Sequence, residues 1–123
     1  MKILLVDDNK SITNALSKFL KFKGHECTVV NDGMMGLSMC LSESFDVILL
    51  DLAMPEFSGK EFIDELTKDG KIKKQRIIIL TAMPIGTIDI EKKGKSGICQ
   101  VLQKPVGLDV ILKTIQEVSI PAE

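Results

Sequence analysis

Asp7 and Asp8 follow the apolar run Ile3-Leu4-Leu5-Val6, Asp51 follows Val47-Ile48-Leu49-Leu50, Thr81 follows Ile77-Ile78-Ile79-Leu80, and Lys104 comes soon after Val101-Leu102. If these runs are neighbouring parallel strands, their carboxyl ends share one edge of a sheet, and open α/β sheets bind ligands in the crevice along that edge. Three carboxylates, a hydroxyl and an ammonium gathered there would suit metal-assisted phosphoryl transfer. Two adjacent aspartates with a third close by repel one another unless a cation offsets them. Mg²⁺ is the natural cation, because it takes oxygen ligands, keeps several waters and is typically held by one or two carboxylates together with a substrate phosphate. One carboxylate can then be left to attack: Asp51 would be the nucleophile and become an aspartyl phosphate. Thr81 would donate its hydroxyl to one phosphoryl oxygen, and Lys104 would pair its ammonium with another.

Each of these residues, taken singly, has a plainer reading. An aspartate after a strand commonly serves as a turn or helix-cap residue, which covers Asp7, Asp8 and Asp51. Thr81 alone is a β-branched strand end, and Lys104 alone a solvated charge. The conjunction reverses that balance. Four strand ends, each delivering a group that phosphoryl transfer needs, are hard to obtain by chance in an alternating chain.

The elements that must position these groups are legible as short apolar runs alternating with stretches of helical period, the pattern of βα repeats on a parallel sheet. Five such pairs are expected. Residues 2–6, 46–50 and 77–80 are apolar on both faces and predict central strands covered by helices on either side, whereas 26–30 and 98–103 mix polar with apolar residues and predict peripheral ones. Ile12, Ala15, Leu16, Phe19 and Leu20 give the first helix an apolar face, with Gly24 as its stop. The turn-forming stretch Met54-Pro55-Glu56-Phe57-Ser58-Gly59 precedes a third helix carrying Phe62, Ile63 and Leu66. Leu108, Ile111, Leu112, Ile115 and Val118 form the stripe of the last helix. Pro84, Gly86, Gly94 and Gly97 leave room only for a short or mobile fourth helix between them.

At 123 residues and 45% hydrophobic, the chain is sized for one domain, residues 1–123, with a core of its own. With 16 basic against 17 acidic residues there is no overall pull toward nucleic acid or a membrane surface. The apolar stretch at the N-terminus ends at Asp7, too short for a signal peptide or a span, so a soluble protein in the cytoplasm is expected. Cys27, Cys40 and Cys99 are odd in number and far apart among apolar neighbours, which predicts reduced core thiols and no zinc site. His25, the only histidine, falls in a turn and reads as a surface residue. Met34, Met35 and Met39 read mainly as packing, with a soft partner surface as the lesser alternative. Lys71, Lys73, Lys74 and Arg76, with Lys92, Lys93 and Lys95, read as a solvated face balanced by acidic residues elsewhere. No G-x-x-x-x-G-K loop is present, which argues against a P-loop nucleotide enzyme.

Over residues 2–119 the chain resembles the receiver domain of two-component response regulators. Ile3 to Asp8 match the family's acidic pair, Phe45 to Pro55 its phosphoacceptor segment with Gly59 following, Thr81-Ala82 its switch hydroxyl and Lys104-Pro105 its lysine. The resemblance implies a flavodoxin-like α/β fold, doubly wound, with helices on both faces of a five-stranded parallel sheet in the order 2-1-3-4-5. It implies phosphotransfer from a histidine kinase or phosphotransfer protein to Asp51. It also implies Mg²⁺ held by Asp7, Asp8, Asp51 and the backbone carbonyl of Ala53, and an often cis bond before Pro105. Downstream, a protein target or a fused output domain is implied, with scope for a phosphorylation-dependent dimer and no direct contact with nucleic acid.

Three positions depart from the commoner pattern. Val101 stands where many relatives carry a tyrosine or phenylalanine whose ring moves inward, so a phosphorylation-linked change is expected in backbone and loop near residues 82–100 instead. Ala53 and Met83 cannot orient an attacking water by hydrogen bonding, which predicts slow intrinsic loss of phosphate. The chain is expected to be a phosphoacceptor switch rather than a turnover enzyme. A haloacid-dehalogenase-like phosphatase would use Asp7 as nucleophile but wants an aspartate where Asn9 stands; a pseudo-receiver would lack the complete acidic set.

Overall fold

The computed structural model describes residues 1–52, 54, 58–70, 75–82 and 97–119. Five strands, β1 (Lys2–Val6), β2 (Glu26–Val30), β3 (Val47–Asp51), β4 (Ile77–Thr81) and β5 (Ile98–Gln103), pair in parallel in the order β2-β1-β3-β4-β5. Four helices are described: α1 (Lys10–Phe22), α2 (Gly33–Ser42), α3 (Gly59–Lys68) and α4 (Leu108–Ser119). This is the doubly wound, flavodoxin-like arrangement expected from the sequence. The segment expected to hold a short helix, 84–97, lies almost wholly outside the described residues.

The unbroken apolar runs become the three inner strands because only a strand covered on both faces can bury every side chain. In β1, Ile3 and Leu5 face one side with Leu16 and Leu20 of α1 and Ile111 and Ile115 of α4. Leu4 and Val6 face the other, with Cys40 of α2 and Phe62, Ile63 and Leu66 of α3. Each such side chain, fully buried, contributes roughly 1.5–3 kcal/mol. The two outer strands keep their polar positions wet, with Glu26, Cys99, Gln100 and Gln103 exposed.

In β5 the alternation breaks once. Ile98 pairs with Ile77 but Gln100 pairs with Ile78, so Cys99 is an extra residue on the edge strand. As a result Ile98 and Val101, three positions apart, both pack on the side of Ile77 and Ile79. Cys99 itself is exposed, contrary to the expectation of a core thiol, because the bulge and the sheet edge turn it outward.

Helices α1, α2 and α3 all begin at the carboxyl edge of the sheet with a side-chain cap. Asn9 Oδ1 accepts from the Ile12 N–H at 3.2 Å, Asp32 Oδ1 from Met35 at 3.1 Å, and Ser58 Oγ from Glu61 at 3.2 Å. Glu61 returns the bond to the Ser58 N–H, completing a capping box.

Candidate functional site

The strand register explains why distant residues converge. Val6 is level with Leu50, so Asp7 and Asp51, one residue further along adjacent strands, stand at the same height at the β1/β3 junction where the strand order reverses. Asp51 is also level with Leu80, which brings Thr81 to the next rung of β4, and Thr81 is paired with Gln103 of β5. Lys104 then follows directly, its N–H donating to the Thr81 carbonyl at 2.7 Å. The peptide between Lys104 and Pro105 is cis.

One carboxylate oxygen from each of Asp7, Asp8 and Asp51 can be chosen so that all three lie within 4.8 Å of one another. Asp7 and Asp51 are buried and Asp8 is exposed. Asp7 is held at both oxygens, Oδ1 accepting from the Asn9 N–H at 2.9 Å and Oδ2 from Lys104 Nζ at 2.7 Å. The same ammonium lies 3.9 Å from Asp51 Oδ2. Thr81 is fully buried at the end of β4. Ala53 lies outside the described residues.

With three carboxylates against one ammonium, the cluster carries two negative charges in excess when ionised. The donors are all hard oxygens, with no thiol or imidazole among the three. That set fits a magnesium ion, which takes oxygen ligands.

The comparisons with known proteins agree with this geometry. Residues 3–116 match the family model described as the response regulator receiver domain. The chain belongs to the response regulator receiver family. This receiver is 32% identical over 117 residues to protein PilH of Pseudomonas aeruginosa, covering 95% of this chain and 96% of PilH. It is 31% identical over 117 residues to the response regulator MprA of Mycobacterium leprae, where it spans 94% of its own length but 50% of that protein. Among solved structures, the receiver superimposes on Vibrio cholerae CheY4 with a TM-score of 0.81 at 33% identity, covering 95% of this chain and 97% of that one. It also superimposes on Thermotoga maritima TrrA in complex with Mg(2+)-BeF, with a TM-score of 0.80 at 28% identity and coverage of 96% and 99%.

Around the receiver's acidic edge, two contributors escaped the sequence reading. Asn9 donates its main-chain N–H to Asp7 while capping α1, and Asn31, just after β2, reaches the Asp7 carbonyl. The sequence offered for Asn31 only its place after the strand run Cys27-Thr28-Val29-Val30. Behind Lys104, an apolar groove of about 490 Å³ runs between α1 and α4, lined by Ile12, Ala15, Leu80, Ala82, Val106 and Leu108 among others. Ala15, expected on the core face of α1, is exposed at this groove.

Val101 is half-buried on β5, and Met83 lies outside the described residues. Met34 and Met35 are exposed on α2, while Met39 packs against the core. Burial pushes the Cys40 thiol up to about 12 and raises Cys27 and Cys99 as well. His25 is half-buried, its Nδ1 lying 3.1 Å from the Met1 amino nitrogen. Burial and then the Met1 charge lower its pKa. Among the described residues no helix is long and apolar enough to cross a membrane.

Proposed function

We propose that this receiver is a Mg²⁺-dependent phosphoacceptor that takes a phosphoryl group onto Asp51 from the phosphohistidine of a histidine kinase or phosphotransfer protein. An oxygen of Asp51 attacks phosphorus, the new O–P bond forms, and the N–P bond breaks with its electron pair returning to the imidazole. Asp7, Asp8, Asp51 and the carbonyl of Ala53 would hold Mg²⁺, which when bound offsets charge on the transferring group. Lys104 supplies the fixed cation beside Asp51, and Thr81 the hydroxyl donor to a phosphoryl oxygen. The observation that carries this reading is the meeting of three carboxylates within 4.8 Å of one another under the Lys104 ammonium.

The receiver acts stoichiometrically in this reading, as a switch in the cytoplasm whose labelled form binds a protein target, drives a fused output domain or pairs with a second copy. It has no nucleic-acid surface of its own in this scheme. Ala53 and Met83 offer an attacking water no side-chain hydrogen bond, which favours a phosphoryl lifetime of minutes or longer. Incubation with acetyl phosphate and Mg²⁺, followed by intact mass measurement, tests the core of the proposal. Wild type should gain one phosphoryl group and Asp51→Asn none. Equal labelling of both, or of neither, would refute it. Steady turnover of a generic phosphomonoester would instead indicate a phosphatase with Asp7 as nucleophile.

A further inference from the structure

Asn31 ties the end of β2 to the acidic edge and has no part in the phosphoacceptor scheme. Its Nδ2 donates to the main-chain oxygen of Asp7 at 2.7 Å and to Oγ1 of Thr13 at 3.2 Å. The Asp7 N–H donates to the Val30 carbonyl at 3.2 Å, so the Asn31 amide adds one more rung between β1 and β2 after the backbone pairing has ended. Thr13 is buried and donates its own hydroxyl to the Lys10 carbonyl, which fixes it as acceptor toward Asn31. The amide therefore bridges β1, α1 and the turn before α2.

The carbonyl it holds belongs to the peptide that joins Asp7 to Asp8. Rotation of that peptide would re-aim both side chains. The Asp7 carboxylate is further pinned by Asn9 and Lys104, whereas Asp8 extends on the exposed side of the same peptide. A carbonyl can be held this way only by a donor, which Asn supplies and an apolar residue does not.

We propose that Asn31 is a positioning residue, fixing the Asp7–Asp8 peptide through its amide so that both carboxylates converge with Asp51 on one divalent cation. This rests on the magnesium reading above. Groups that orient metal ligands from behind typically change affinity by about 10–100-fold when removed.

The test is calorimetric titration of the full chain with MgCl₂, without any phosphodonor, alongside thermal unfolding in metal-free buffer. Wild type, Asn31→Ala and Asn31→Leu are compared with Ile115→Val, which trims a fully buried side chain of α4 away from the acidic edge. Asn31→Ala is expected to lower Mg²⁺ affinity about tenfold or more, whereas Ile115→Val should lower the melting temperature and leave affinity unchanged. Equal affinity in wild type and Asn31→Ala would overturn the proposal. A wild type that binds no Mg²⁺ would instead overturn the magnesium reading itself. If Asn31→Ala does not fold, Asn31→Leu carries the same comparison, since it keeps the bulk of the side chain and has no donor; wild-type affinity there overturns the proposal equally.

Discussion

Replacing Gly59 with alanine should strike the phosphoacceptor strand directly. A Cβ at this position would stand 2.5 Å from the Asp51 carbonyl oxygen, 2.7 Å from Leu52 Cα and 2.9 Å from Leu52 Cδ2. Ordinary contact begins near 3.4 Å, so about 0.9 Å must open between α3 and the end of β3. Two of the three atoms are backbone and cannot rotate away. Overpacking of this kind costs typically ~1–3 kcal/mol, and its upper half applies where only backbone can move. Alanine regains part of the ~1 kcal/mol that glycine costs within a helix, but little of it at the first residue of α3. The net loss is about 1.5–3 kcal/mol, which for a domain of this size lowers the melting temperature by roughly 5–12 °C. Because misplacement by about 1 Å can slow a reaction ~100-fold, labelling of Asp51 by acetyl phosphate should slow as well. Gly36→Ala is the internal control. Its Cβ would meet two Val6 methyls at 2.9 Å and the Phe62 ring at 3.3 Å, all side chain, in a helix interior where alanine gains most. Its stability should stay within about 1 kcal/mol of wild type. Circular dichroism melts and intact mass time courses measure both quantities. A Gly59→Ala protein that melts and labels like wild type would refute the reasoning.

Further outcomes follow from the same geometry. Lys104→Met removes the ammonium 2.7 Å from Asp7, so Mg²⁺ affinity should rise while labelling falls by at least about tenfold, losing the stabilisation such charges supply to a transition state; unchanged labelling would contradict the role given to this lysine. The lowered pKa of His25 means the unfolded chain takes up its proton more readily. This contribution to stability is present above about pH 6.5 and is lost as pH falls through the folded-state value, so His25→Gln should flatten that part of a melting-temperature profile. A profile parallel to wild type would exclude the effect. With iodoacetamide near pH 8, Cys99 should alkylate first, Cys27 more slowly and Cys40 only on unfolding, because exposure falls in that order and the Cys40 thiol is pushed up to about 12; peptide mapping gives the order, and early modification of Cys40 would contradict its burial.

The inner strands were legible because a run such as Val47-Ile48-Leu49-Leu50 has no polar face to leave in water, and the four-residue rhythm of Ile12, Leu16 and Leu20 points to one helix. Boundaries were less so. β3 begins at Val47 rather than Asp46, because Asp46 turns aside to accept the Lys2 N–H at 2.7 Å and the strand extends to Asp51 instead. Helix α2 carries no charge, so its sequence does not separate the exposed Met34 and Met35 from the packed Met39. The acidic set could be read because its members share one chemistry at comparable strand ends. Asn31 could not, because an isolated asparagine after a strand has the same appearance whether it merely turns the chain or reaches across to another backbone. Cys99 was misread because pure alternation assumes a constant pleat, and a bulge is a property of pairing with β4 that one strand does not carry in its own letters.

That surplus residue bears on how the protein tolerates change. From Ile98 to Gln103 the chain advances five positions, while its neighbour advances only four from Ile77 to Thr81. The slack is taken up beside Ile77, at the end of the strand remote from Lys104. Deletion of Cys99 would leave the lysine anchored to the Thr81 carbonyl and Ile98 opposite Ile77, removing only the bulge. A one-residue deletion after Val101 would drag the ammonium out of reach of Asp7. Length variation in this strand is thus harmless at its start and disabling at its finish.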